Sequence, residues 1–167
     1  HTPDYSRLQS KLRRLVEQGY CDEVVELGST ILSEGMTQIE QSHDEGETAT
    51  EFATCMTVVF DAVAGSSLSP CDKILWAIDA VSLDDYDAID ECSGKVIDAR
   101  WTPADWSEVA DRLFERVGQA PRTTEKGQSH RDHQRDGLTG WLLHALAAAD
   151  RNDETLPLLE SEARTTR

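Results

Sequence analysis

The sequence is poor in lysine and in basic residues generally. Asp and Glu outnumber Lys and Arg by 32 to 16, only four of the cations are lysines, and the net charge is −16. A surface of this charge repels nucleic-acid phosphates and anionic membranes, so we expect no direct nucleic-acid binding and no membrane association. Three interpretations of the acidity stay open: solvated helix faces, adaptation to a saline cytoplasm, and recruitment of a basic protein partner.

The chain also lacks paired cysteines and long apolar runs. Its four cysteines form no Cys-x-x-Cys pair, which excludes zinc-knuckle and thioredoxin-type motifs. We expect reduced thiols in a cytoplasmic protein. No signal-peptide pattern and no apolar run of about 18 residues occurs, so we expect no membrane insertion. Because the sequence begins at His1 rather than Met, we expect a fragment of a longer chain.

Apolar residues recur at three- and four-residue spacing along most of the chain, which is the pattern of amphipathic helices. The most regular stripe runs from Phe52 to Val63, and Ser69-Pro70 and Thr102-Pro103 have the cap and proline that begin helices. A fifth helix is predicted over 85–98, with Tyr86 facing inward. No segment alternates with a two-residue period, so the sequence predicts an all-α protein of about eight helices.

The second helix, which begins after Asp22, has an apolar stripe that contains a glycine. Val24, Leu27 and Ile31 are expected to face inward, and Gly28 is assigned to the same face. A glycine inside a helix costs about 1 kcal/mol relative to alanine. We therefore expect the first helix to approach Gly28 closely.

One helix–turn–helix pattern occurs twice, at Leu12–Gly28 and at Leu143–Leu159, each with Asp-Glu after the turn. The repeat predicts stacked antiparallel helical hairpins in a tetratricopeptide-like (TPR-like) superhelix. We expect a single domain over 1–167, with a mobile loop at 118–129 and a disordered tail at 164–167.

Several short phrases carry a family resemblance over about residues 5–163. They are EQGYCDEVVELG, SHDEGET, KILWAIDA, DWSEVADRL and RDGLTGWLLHAL. Together they resemble the helical region that follows the zinc finger in prokaryotic SWIM zinc finger family proteins. The resemblance implies a TPR-like module in a longer, zinc-finger-bearing protein. The family's Cys-x-Cys and Cys-x-His pairs do not occur in this chain, so its metal ligands match no residue here.

Candidate sites for chemistry are weak. His130 and His133 are three residues apart on a predicted helix and are the best metal candidates, but a zinc site needs three or four convergent ligands. His43 and Asp44 are expected to cap the third helix or to connect its turn to the next hairpin, rather than to bind calcium. No nucleophile elbow and no glycine-rich phosphate loop occurs. We expect no metal, no cofactor and no enzymatic activity.

Three aromatic residues, Trp101, Trp76 and Tyr20, are the candidates for partner binding, because an exposed aromatic side chain can anchor an interface. The function expected is a non-catalytic helical-repeat scaffold for protein–protein interaction within a larger SWIM zinc-finger-type protein. The first alternative is a positioning module of a nucleic-acid-binding protein whose zinc finger lies outside this chain. The second is an unrecognised enzyme.

Overall fold

The computed structural model describes residues 4–119 and 129–165. Its helices are α1 (Tyr5–Glu17), α2 (Cys21–Gln41), α3 (Glu47–Gly65), α4 (Pro70–Leu83), α5 (Asp90–Ile97), α6 (Pro103–Gln119), α7 (Ser129–Ala148) and α8 (Thr155–Thr165), with a 3₁₀ turn at Asn152–Glu154 before α8. No strand occurs in these two ranges, and the predicted all-α fold is confirmed.

The boundaries of the predicted loop and tail differ from the observed helices. Gly118 and Gln119 belong to α6, and Ser129 begins α7. Residues 120–128 of the predicted loop lie outside the described residues. Arg164 and Thr165 belong to α8. Within the described ranges, no helix has both the length and the apolar character needed to cross a bilayer.

The contacts within the chain divide it into two compact units, and the single domain expected from the sequence stays a prediction. The N-unit is His1–Ala99 and contains α1 to α5, and the C-unit is Arg100–Arg167 and contains α6 to α8. The TPR-like superhelix stays a prediction.

Helix α3 is the centre of the N-unit. It packs against α1, α2, α4 and α5. Because four helices surround α3, its side chains are buried around most of the helix circumference. The fully buried ones are Phe52, Cys55, Met56, Val58, Val59, Phe60, Ala62 and Val63.

Helix α2 packs on α3 in a different rotation from the one its leucines predict. Gly28, Leu32 and Gly35 are buried, whereas Leu27 is 47% exposed and Ile31 is half-buried. The prediction that Leu27 faces inward is therefore wrong. The side of the helix that faces the core is the one with the two glycines.

The glycines face the core because large side chains fill the space beside them. A Cβ on Gly28 would lie 3.2 Å from Cζ2 of Trp76 and 2.5 Å from Cγ1 of Val59. A Cβ on Gly35 would lie 2.9 Å from Cζ of Phe52 and closer still to two other carbons of that ring. Close approach at Gly28 was expected from α1, but α3 and α4 supply it instead.

Helix α5 is shorter than predicted because a turn delays its start. The Asp84 carboxylate accepts hydrogen bonds from the N–H groups of Tyr86, at 3.2 Å, and Ile89, at 2.9 Å. Asp87 adopts a left-handed backbone with φ of 55°. As a result α5 begins at Asp90, and Tyr86 is 46% exposed rather than inward-facing.

The C-unit is built on the packing of α6 against α7. At the start of α6, Thr102 Oγ accepts from the N–H of Asp105 at 3.1 Å, and the Asp105 carboxylate accepts from the N–H of Thr102 at 3.0 Å. This reciprocal cap confirms the predicted helix start. The side chains buried by the two helices are Trp106, Val109, Ala110, Leu113, Val117, Arg135, Thr139, Leu142, Ala145 and Leu146.

The predicted sequence repeat has the same turn in both units. Gly19 and Asp150 occupy equivalent positions and both have left-handed backbones, with φ of 90° and 60°. In each turn the N–H of the residue after the left-handed one donates to the carbonyl five residues earlier. This bond satisfies a carbonyl at the end of the preceding helix. The bonds are Tyr20 N–H to Leu15 O at 2.9 Å and Arg151 N–H to Leu146 O at 2.8 Å.

Candidate functional site

The three aromatic candidates differ in exposure. Tyr20, just before α2 in the N-unit, is 49% exposed. Trp76 on α4 is half-buried, and its ring meets Phe60 edge-on with centroids 5.6 Å apart. Trp101, which precedes α6 in the C-unit, is also half-buried. Tyr20 therefore offers the most accessible surface of the three.

The metal candidates His130 and His133 lie on α7, and their side chains are outside the described residues. Among the side chains that the structure does describe, no three His, Cys, Asp or Glu residues are grouped so that they could hold a metal ion.

The cysteines of the N-unit are mostly inaccessible. Burial raises the pKa of the Cys55 and Cys92 thiols to about 11. Cys55 also donates from Sγ to the carbonyl of Tyr5 at 3.0 Å. Cys71 is buried as well, and Cys21 is half-buried. Because the thiolate is the reactive form of cysteine, Cys55 and Cys92 are poor nucleophiles at neutral pH.

Two carboxylates of the N-unit hold turns in place. Asp22 accepts from the backbone N–H of Ser67 at 2.8 Å and from its hydroxyl at 2.7 Å, and the hydroxyl bond is the main reason that the pKa of Asp22 is lowered. Asp44 accepts from the hydroxyl and the N–H of Thr48 and from the N–H of Gly46. The hydroxyl bond lowers the pKa of Asp44. The bond from the Thr48 N–H, in the first turn of α3, confirms the predicted capping for Asp44, and the same prediction for His43 stays a prediction.

Cations of the N-unit bind carboxylates between helices. Asp61 on α3 accepts from Arg13 of α1 and from Lys95 of α5, each at 2.9 Å. Burial acts to raise the pKa of Asp61, but the hydrogen bonds from Lys95 and Arg13 outweigh it and hold the pKa below its usual range. These two cations therefore connect the outer helices to α3.

Arginines of the C-unit have the same role. Arg135 on α7 binds Glu162 of α8 through two nitrogens, at 2.9 and 2.8 Å, and also donates to the carbonyl of Val117 at 3.2 Å. Arg151 binds Asp111 of α6 and Glu154, each at 2.8 Å. A bidentate arginine–carboxylate pair fixes both position and orientation, so Arg135 and Glu162 hold α7 and α8 together. Arg151 lies in the turn after α7, and its bond to Asp111 connects that turn to α6.

The negative charge is concentrated in the N-unit. Residues 1–99 contain 20 Asp and Glu against six Lys and Arg, for a net charge of −14, whereas residues 100–167 contribute −2. Residues 15–72, which include all of α2 and α3, contain 12 Asp and Glu and no Lys or Arg. Any negative charge on the surface of α2 therefore has no basic neighbour on its own helix.

The candidate site is the outer face of α2, defined as Tyr20, Glu23, Glu26, Leu27 and Glu34. All five residues are exposed. Leu27 lies on α2, and Tyr20 is the N-cap residue seven positions before it. The three glutamates form no ion pair with any side chain that the structure describes. The face extends about 21 Å along the helix, at a rise of 1.5 Å per residue.

The sequence predicts Tyr20 as a partner contact but none of the other four residues of this face. Apolar spacing alone places Leu27 in the core, because it favours the stripe that contains that residue. One signal in the sequence points the other way, because Gly28 and Gly35 are also seven residues apart and mark a second stripe. The missing cations between 15 and 72 are a separate signal, which concerns the charge of the face.

Comparisons with protein-family models, with curated proteins and with solved structures give no match for this chain.

Proposed function

We propose that this chain is a non-catalytic helical scaffold that binds a basic protein partner, as part of a larger SWIM zinc-finger-type protein in the cytoplasm. The observation that supports it best is the outer face of α2, where Tyr20 and Leu27 are exposed beside three glutamates that form no ion pair with any described side chain. Apolar groups at the centre of an interface supply affinity, and complementary charges around them supply orientation and association rate.

The placement of two cations also supports a basic partner. Arg13 and Lys95 are both bound to Asp61 between helices, which leaves 19 Asp and Glu against four Lys and Arg on the rest of the N-unit. The net charge of −14 on that unit attracts a positively charged protein and repels nucleic acid.

Affinity capture tests the interaction. The full chain, immobilised through a terminal tag, is incubated with an extract of the source organism at low and at physiological salt, beside an unrelated globular protein of similar net charge. We expect specific recovery of basic proteins that weakens as salt rises, because screening shortens the range of surface electrostatics. Recovery of nothing beyond the control protein contradicts the proposal. Partners whose binding is insensitive to salt contradict its electrostatic part.

The family part of the proposal has a separate test. The coding sequence upstream of His1 is expected to encode a Cys-x-Cys…Cys-x-His motif, which is the pattern implied by the resemblance. An upstream reading frame without that motif contradicts membership of a SWIM-type protein and leaves the interaction proposal untouched.

A further inference from the structure

We infer that the outer face of α2 is a docking surface for a basic amphipathic helix of the partner protein. This inference rests on the proposed function and specifies both the site and the kind of partner. The partner helix is expected to place apolar side chains on Leu27 and Tyr20, and lysines or arginines beside the glutamates of the face.

The rotation of α2 is the first observation behind this inference. Because Gly28 and Gly35 face the core, Leu27 is turned outward and is 47% exposed, although the sequence spacing would allow it to be buried. Tyr20, two turns earlier, is 49% exposed. The N-unit thus leaves two large apolar side chains exposed to water, one on α2 and one at its N-cap. Such a face can bind an amphipathic helix whose apolar residues follow the same spacing.

Charge complementarity identifies the occupant. Glu23 and Glu26 lie within a turn of Leu27, and Glu34 lies two turns beyond it on the same side. None of the three pairs with a described cation. A second copy of this chain would bring like charges together, whereas a helix with basic flanks would neutralise them.

The face is also held in place before any partner binds. Asp22 fixes the start of α2 through its two hydrogen bonds to Ser67, and Phe52 packs against Gly35 in the second half of the helix. A rigid surface loses little conformational entropy on binding, which favours affinity.

Other exposed apolar pairs lack one of these properties. Leu83 and Tyr86 lie at the end of α4 and in the following turn, so they do not share a helix face. Leu156 and Leu159 share a face of α8, but they belong to the C-unit, whose net charge is only −2. The outer face of α2 combines apolar exposure, helical spacing and uncompensated charge.

A synthetic helix tests the recognition. The probe is a peptide of leucine and lysine, about 18 residues long so that a helix can form, with leucines at positions i, i+3, i+4 and i+7. A scrambled peptide of the same composition has no apolar face. Binding to the full chain is measured by isothermal titration calorimetry at physiological salt. We expect the amphipathic peptide to bind at least about tenfold more tightly than the scrambled one, which corresponds to one decade in Kd.

Matched variants locate the binding on the protein. The face variant combines three substitutions, Glu23→Lys, Glu26→Lys and Glu34→Lys. The control variant makes the same change in net charge at three exposed acids elsewhere in the N-unit, namely Glu45→Lys, Asp85→Lys and Glu91→Lys. We expect the face variant to weaken binding at least about tenfold and the control less than about threefold, because close charge pairs contribute more than distant ones.

A second variant with a single exposed substitution keeps the test valid if the face variant does not fold. Leu27→Ser removes an exposed side chain, so far-UV circular dichroism and the melting temperature should stay close to wild type, while peptide binding falls about fivefold as apolar contact is lost. Equal weakening by face and control variants, equal binding of the two peptides, or no loss in Leu27→Ser would each overturn the docking surface.

The partner from affinity capture separates this inference from the proposed function. If the captured partner binds the face variant as tightly as wild type, the interaction stands and the docking surface is wrong. If no partner is captured at all, the proposed function itself fails.

Discussion

Alanine substitutions at two helical glycines should change stability in opposite directions. Gly35 on α2 faces the core, where an added Cβ would lie 2.9 Å or less from three ring carbons of Phe52. Gly140 on α7 is exposed, and nothing outside its own helix lies within 4 Å of the position of its Cβ. Both residues lie inside helices, so the gain in helix propensity from alanine is the same, about 1 kcal/mol.

The packing cost decides the sign. Phe52 is fully buried and meets Tyr5 edge-on with centroids 6.2 Å apart, so its ring cannot move without displacing a neighbour. Overpacking a close-packed core costs up to about 3 kcal/mol. We expect Gly35→Ala to lower the free energy of unfolding by about 2 kcal/mol, and Gly140→Ala to raise it by up to about 1 kcal/mol.

Urea titration followed by far-UV circular dichroism measures both effects, and hydrogen exchange assigns each to its own unit. Protection should fall in α2 and α3 for Gly35→Ala and rise in α7 for Gly140→Ala. Combining Gly35→Ala with Phe52→Leu should cost less than the sum of the two changes, because the smaller side chain makes room for the methyl group. If Gly35→Ala were as stabilising as Gly140→Ala, Gly35 would not face Phe52. The rotation of α2, and with it the exposure of Leu27, would then be wrong.

Three further predictions concern thiols, a hydrogen-bonded carboxylate and an arginine. A maleimide should label Cys21 first in the native protein at pH 8. Cys55 should react only on unfolding, because burial raises the pKa of its thiol to about 11. Equal labelling rates for the two thiols in the native protein would contradict this expectation. Ser67→Ala should bring the pKa of Asp22, measured by NMR, back up toward 3.8. Since folding depresses that pKa, the stabilisation is present above pH 3.8 and is lost as pH falls through the folded value. The variant keeps the bond from the Ser67 N–H, so it should show a smaller loss than wild type, and an equal loss would contradict the assignment. Arg151→Met should lower the free energy of unfolding by about 1.5 kcal/mol, because charged hydrogen bonds are lost at a partly exposed site. An unchanged urea midpoint would contradict this prediction.

Local sequence signals predicted much of the fold. Ser69-Pro70 and Thr102-Pro103 mark the starts of α4 and α6 correctly, because capping depends only on a few neighbouring residues. The repeated turn at Gly19 and Asp150 was also predictable, although aspartate rather than glycine has the left-handed backbone in the second copy. The start of α5 was missed because Asp84 bonds to two later N–H groups, an arrangement that competes with helix formation.

The rotation of α2 could not be predicted from its own residues. Apolar spacing favours Leu27 as a core residue, whereas the side that faces the core is set by Phe52 on a different helix. Which of two competing stripes is buried therefore depends on a contact distant in sequence. The aromatic character of Tyr20 predicts it as a partner contact. That acidic residues share its face with an exposed leucine follows only from the rotation of α2.

The central position of α3 limits how far the N-unit can be shortened. In a solenoid a terminal repeat can be removed and its neighbour still has a partner on the other side. In the N-unit, α1 and α5 both cover α3, and Asp61 is bound from both sides. Deleting either helix would expose the apolar surface of α3 and leave Asp61 with one cation fewer. Expression boundaries that cut within 5–97 are therefore expected to yield aggregated protein rather than a smaller folded piece.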